Sequence, residues 1–166
     1  VDPEDVKKAL RPETILVSIQ YANNEIGTIQ PIPGIAKVIR NFRKRQISNI
    51  QYPISGAKVI LPLFHTDASQ APAYLDCNVE KLGVDLLTLD GHKIYGPKGI
   101  GALYVRRGTL IEPIIIGGAQ EGGLRPGTEN IPAIAGLAKA LEICSNEREK
   151  ESSRLIKLRD YIYSSV

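Results

Sequence analysis

The sequence predicts an α/β fold, a mostly parallel sheet with flanking helices, and three observations lead there. Short apolar runs rich in β-branched residues recur at residues 14–20, 62–66 and 84–89. Stretches with helical periodicity separate or precede them. Each run stops in turn-forming residues rather than continuing. Strands that alternate with helices pair in parallel, because the helix carries the chain back across the sheet.

In chain order, residues 2–10 read as a short helix with Asp2 as cap and Pro3 in the first turn, closed by Arg11-Pro12. The run 14–20 (TILVSIQ) reads as a buried strand, with Asn23-Asn24-Glu25-Ile26-Gly27 as its turn. Ile35, Val38, Ile39 and Phe42 recur at helical spacing, so residues 32–45 are expected to be a helix. Residues 46–61 contain Pro53, Ser55 and Gly56 and read as a surface insertion with a short strand at 58–61. A strand at 62–66, a helical turn at 79–82, and strands at 84–89, 101–106 and 111–116 follow. The link between 84–89 and 101–106 is too short for a parallel crossover, so those two are antiparallel or not adjacent. A glycine-rich loop leads from Gly117-Gly118 to Thr128. A long helix then spans 132 to about 163, with Leu137, Ala140, Leu141 and Cys144 on one face.

The 166 residues suit one domain or a piece of a larger one, with 43% hydrophobic residues. Basic and acidic side chains number 21 and 18, a net charge of +3, too little excess to indicate nucleic acid or a membrane surface as partner. The basic cluster Arg40 to Arg45 is explained by a solvated helix end, where positive charge is favourable. Cys77 and Cys144 lie in unrelated contexts without a CxxC or a metal-binding cluster, and read as free thiols of a reducing cytoplasm. No signal peptide is visible, and the chain opens without methionine, so it is expected to be a fragment.

Chemistry concentrates at two strand ends. Lys93 follows the apolar run 84–89 in a Gly91-His92-Lys93 turn, ahead of Gly96-Pro97-Lys98-Gly99. A lysine on so short a leash can be desolvated and aimed at one electrophilic carbon, with His92 and Lys98 supplying a positive field that favours the neutral amine. The plainer alternative is a surface lysine in a polar turn. Asp67 ends the strand 62–66 and either caps a helix starting at Ala68 or serves a ligand. A lysine and an aspartate on neighbouring strand ends are what a pyridoxal phosphate site needs: one binds the aldehyde, one pairs with the pyridinium nitrogen. Gln70 and Asn24 can reach the ring's phenolic oxygen, or are respectively a solvated helix residue and a turn-former. Thr128 either helps hold a phosphate near a helix N-terminus or caps that helix.

The stretches NNEIGTIQPI (23–32), FHTDASQ (64–70), GVDLLTLDGHKIYGPKGIGALYVRRG (83–108) and GGAQEGGLRPGTEN (117–130) resemble the cysteine desulfurase and selenocysteine lyase family. That family lies within class-V aminotransferase-like pyridoxal phosphate enzymes of fold type I, and the stretches fall in family order. The resemblance implies that Lys93 carries the cofactor, Asp67 pairs with its ring nitrogen, and Gln70 and Asn24 contact its phenolic oxygen. His92 would touch the phosphate, and Thr128 would reach the phosphate of the partner subunit's cofactor in a homodimer. The implied reaction removes sulfur from L-cysteine, leaving alanine and an enzyme persulfide for a sulfur-acceptor scaffold protein and iron–sulfur cluster or thio-cofactor assembly. Other class-V enzymes, an aminotransferase or a selenocysteine lyase, and a non-catalytic relative are the alternatives.

Residues 1–140 are expected to be the central part of the cofactor-binding large domain. Residues 141–166 are expected to begin a helix leading to a small domain beyond Val166 that bears the sulfur-accepting cysteine and the substrate-binding arginine. Three features depart from the family pattern. Asp90 stands where a serine commonly contributes a hydroxyl to the phosphate, Gly122 stands where an arginine often follows the glutamate, and residues 46–61 are longer than usual.

Overall fold

The computed structural model describes residues 1–46, 53–54, 57–58 and 60–166. Helix α1 (Pro3–Ala9) starts at Asp2, whose carboxylate accepts the Glu4 N–H at 2.7 Å. Strand β1 (Leu16–Gln20), helix α2 (Ile32–Gln46), strand β4 (Leu63–Asp67), the single-turn helix α3 (Val79–Leu82), strand β5 (Leu86–Asp90) and strand β6 (Gly101–Val105) then follow. Between α2 and β4, strands β2 (Pro53–Ile54) and β3 (Ala57–Lys58) form a separate antiparallel pair. The rest of the insertion expected at 46–61 lies mostly outside the described residues. A 35-residue helix, α4 (Ile131–Ser165), ends the chain.

The main sheet has the order β1-β4-β5-β6. β1, β4 and β5 run parallel, and β6 is antiparallel to β5, which answers the question that the short link left open. The register places Ser18 beside His65, Gln20 beside Asp67, and Asp67 beside Thr88. Because side chains alternate along a strand, this divides the sheet into two unlike faces. One carries Phe64 and Leu87, which pack with Ile32, Ile35, Ala36 and Ile39 of α2, all fully or nearly fully buried. Thr66 lies on the same face and donates its hydroxyl to the Ile19 carbonyl at 2.8 Å. The opposite face carries Ser18, Gln20, His65, Asp67, Thr88 and Asp90.

A second core joins α4 to the segment after β5. Leu137, Ala140 and Cys144 pack on Ala73 and Ile94. A Cβ on Gly136 would come within 2.5 Å of Pro97 Cγ, so the helix meets the Gly-Pro-Lys-Gly loop at a position only glycine fills without displacement.

Two expectations are corrected. Residues 111–116 form no strand, and Ile114 and Ile116 are 98% and 93% exposed. Pro113 interrupts that run, removing a ladder donor and restricting Glu112, so apolar composition alone does not make it pair. Nor is the basic end of α2 simply solvated. Arg43 folds inward, its Nε donating to the Pro62 carbonyl at 2.9 Å and its guanidinium pairing with Asp85.

Candidate functional site

Parallel pairing brings the carboxyl ends of β1, β4 and β5 to one edge of the sheet, the edge where open α/β sheets place their ligands. Asp67 is the last residue of β4 and is half-buried. Its Oδ1 accepts the Ser69 N–H at 2.9 Å, an Asx turn that fixes the carboxylate. No helix starts at Ala68; residues 69–75 are turns and bends, so Asp67 is not a helix cap. Gln70 sits in that turn, half-buried, rather than on a helix. Asn24 lies past the end of β1 in an exposed turn. The turn-forming role belongs to its neighbour: Asn23 Oδ1 accepts the N–H groups of Glu25 and Ile26 at 3.0 and 2.9 Å.

Beyond β5 the chain tightens into a 3-10 turn (His92–Ile94). Ile94 points into the α4 core while His92 and Lys93 are exposed. The desolvation expected for Lys93 is therefore not supplied by these residues, because the turn spends its one buried position on Ile94. Tyr95, next along, adopts a left-handed φ of +63°, a conformation costing a non-glycine residue about 1–2 kcal/mol. The packing of Ile94 and the backbone N–H of Gly96 on the Gly91 carbonyl, at 2.9 Å, hold it there.

Asp90 does not stand free. Its Oδ1 lies 2.7 Å from His92 Nδ1 and also accepts the His92 N–H at 3.3 Å. The carboxylate is turned onto the imidazole, which offsets its repulsion toward an anion bound nearby. Ser69, Thr88, Asp90, His92, Ile100 and Gly101 are among the residues lining a cavity of about 380 Å³. It is an open cleft on the surface rather than an enclosed cavity. Neither Lys93 nor Asp67 is among its lining residues. Thr128 is exposed on the loop before α4; the cap of that helix is Asn130, whose Oδ1 accepts the Ala133 N–H at 3.2 Å.

Sequence reasoning missed His65. Period-two alternation in Phe64-His65-Thr66-Asp67 was the available signal, since it places His65 and Asp67 on one face. The ring bridges two strands: Nδ1 lies 2.7 Å from Ser18 Oγ and Nε2 lies 2.8 Å from Thr88 Oγ1. Burial pushes its pKa below the ordinary histidine value, outweighing the upward pull of the Asp67 carboxylate. Burial disfavours the thiolate at both cysteines. Burial pushes the Cys77 thiol up to about 12, with Arg148 opposing, and burial raises Cys144 as well. Among the described residues no His, Cys, Asp and Glu cluster could hold a metal, and no helix is long and apolar enough to cross a membrane.

By residue type, the amine of Lys93, the carboxylate of Asp67, the amide of Gln70 and the imidazole of His92, near the ends of β4 and β5, are groups that can bind pyridoxal phosphate. Comparison with known proteins agrees in kind. The profile of the class-V aminotransferases matches residues 1–166. Cysteine desulfurase IscS of Dictyoglomus turgidum is 49% identical over 166 residues, which are all of this chain and 38% of that protein. A solved NifS-like protein superposes with a TM-score of 0.84 at 38% identity, covering 99% of this chain and 40% of its own. A structure described as SspA in complex with cysteine gives a TM-score of 0.70 at 42% identity, covering 86% of this chain and 36% of that one. The chain thus spans well under half the length of these relatives.

Proposed function

Because this chain belongs to the class-V aminotransferase family, we propose that the protein is a pyridoxal phosphate-dependent cysteine desulfurase, taking sulfur from L-cysteine and leaving alanine and an enzyme persulfide. The observation that supports this reading is that Asp67 ends β4 and the Gly91-His92-Lys93 turn follows the paired strand β5, in a chain whose whole length matches the class-V aminotransferases. The IscS relative and the cysteine-bound SspA structure support cysteine as substrate.

When bound, pyridoxal phosphate supplies an electron sink for bond cleavage at an amino acid's α-carbon. Lys93 Nζ would hold the cofactor and would serve as acid and base for the proton at the substrate Cα. Asp67, already oriented by the Ser69 N–H, holds a proton on the ring nitrogen. Gln70 and Asn24 donate to the phenolic oxygen, and His92, oriented by Asp90, donates to the phosphate. Thr128, exposed on the loop before α4, would reach the phosphate bound to a second copy across a homodimer. The thiol that takes the sulfur is neither Cys77 nor Cys144, whose raised pKa values disfavour the thiolate. The persulfide then passes to an acceptor scaffold for iron–sulfur cluster or thio-cofactor assembly in the cytoplasm. Residues 1–140 would serve as the cofactor-binding part and residues 141–166, in which α4 runs to Ser165, would lead toward the substrate-binding part.

The test is absorbance of the full-length protein with added pyridoxal phosphate, together with alanine and sulfide release from L-cysteine under reductant. Wild type is expected to show the lysine-bound cofactor band and equal amounts of both products, and Lys93→Ala to lose band and products together. A wild-type protein without the band overturns the proposal.

A further inference from the structure

The polar face of the sheet holds more than the groups assigned above. Ser18, His65 and Thr88 stand on three adjacent strands, β1, β4 and β5, and form a continuous hydrogen-bonded row at 2.7 and 2.8 Å. Thr88 is the cross-strand neighbour of Asp67 and lies two residues before Asp90 on the same face. It also lines the cavity, so the row runs from β1, none of whose residues line the cavity, to the cavity wall.

We propose that Thr88 is a further ligand-contacting residue of this cavity and that His65 is its positioning residue, acting through the Ser18–His65–Thr88 row. The inference rests on the pyridoxal phosphate reading. An imidazole with both nitrogens bonded can donate at one and accept at the other. In either tautomer, one hydroxyl valence of Thr88 is taken by His65 and another remains for the cavity. Threonine is β-branched and stiff at χ1, so one hydrogen bond suffices to select the rotamer. Burial, rather than the hydroxyls, keeps the His65 ring, two residues before Asp67 on the same face, uncharged. A cation there would compete with a protonated ring nitrogen for the carboxylate. The fall in the His65 pKa caused by burial agrees with an uncharged bridge.

The experiment uses the full-length protein loaded with pyridoxal phosphate. Cofactor dissociation and the pH midpoint of the cofactor absorbance are measured for His65→Leu, His65→Gln, Thr88→Val, Thr88→Ser and the Leu/Val double variant. Loss of one positioned hydrogen bond weakens binding by about 10-fold. His65→Leu and Thr88→Val are expected to show that loss with matched midpoint shifts, and the double variant no further loss. His65→Gln, whose amide both donates and accepts, and Thr88→Ser are expected to stay near wild type. If Thr88→Val binds the cofactor with wild-type affinity and midpoint, the inference is overturned; additive losses in the double variant overturn the positioning role. If His65→Leu does not fold, His65→Gln and Thr88→Val still decide. A wild type that shows no cofactor band overturns the pyridoxal phosphate reading and this inference with it, whereas a normal wild-type band with an unaffected Thr88→Val removes the inference alone.

Discussion

Asp85 sits at the opposite end of β5 from the candidate site, and its replacement is expected to separate stability from ligand binding. Its side chain is 10% exposed and that of Arg43 is 15% exposed. Asp85 Oδ2 accepts from Arg43 and from the Phe64 N–H, the latter at 2.8 Å, while Oδ1 lies 3.7 Å from Arg106 Nε. Asp85→Ala strands a largely buried guanidinium and orphans a buried backbone donor. Breaking such a pair from one side costs about 3–5 kcal/mol, of which an unsatisfied N–H alone accounts for about 1–3. A loss of about 4 kcal/mol is expected, a large part of the roughly 5–15 kcal/mol that typically holds a protein folded. Asp85→Asn retains an oxygen for the Phe64 N–H and should lose only about 2 kcal/mol. The assay is urea unfolding of the full-length protein, with pyridoxal phosphate affinity measured on the folded variants. Five residue steps lead from Asp85 to Asp90, roughly 16 Å, so affinity should stay within about 3-fold of wild type. An Asp85→Ala variant within about 1 kcal/mol of wild type would refute the reasoning, since the pair would then be no more than a surface contact.

Two further outcomes follow from the packing and the titration of single side chains. Gly136→Ala gains about 1 kcal/mol of helix propensity but sets a methyl 2.5 Å from Pro97 Cγ, where overpacking costs about 1–3 kcal/mol. Thermal unfolding should show a net loss, and a rise in melting temperature would mean the loop behind Lys93 yields freely. His65 is held below its ordinary pKa by burial, so the unfolded chain takes up its proton at a higher pH than the folded one. Its stabilising contribution is complete above the unfolded value of about 6.5 and is lost as pH falls toward the folded one. Melting curves at about pH 7.5 and 5.5 should show His65→Gln losing less stability on acidification than wild type; an equal loss counts against a buried, uncharged imidazole.

Much of the fold was legible because its signals are local. The cap at Asp2, the helical period of α2, the single turn at 79–82 and the long α4 all stand within a residue or two of where periodicity and capping place them. The order of short motifs around Asp67 and Lys93 named the candidate site residues, of which the structure sets Asp67 at the end of β4 and leaves Lys93, Asn24 and Thr128 exposed. Apolar composition misled at 111–116, where Pro113 denies the run a ladder and no neighbour completes one. Charge pattern misled at Arg43, because nothing local to α2 reveals a buried carboxylate just before a strand more than forty residues later.

The sequence by itself determined the α/β alternation, the motif order and the residue types at each strand end, all consequences of spacing within a few residues. Tertiary structure alone decided which strands are neighbours, and so which side chains share a face. Pairing β1, β4 and β5 in register put His65 between Ser18 and Thr88, and the turn after β5 set Asp90 on His92. The physical reason is range: a hydrogen bond across strands depends on register, and register is fixed by burial of the other face against α2.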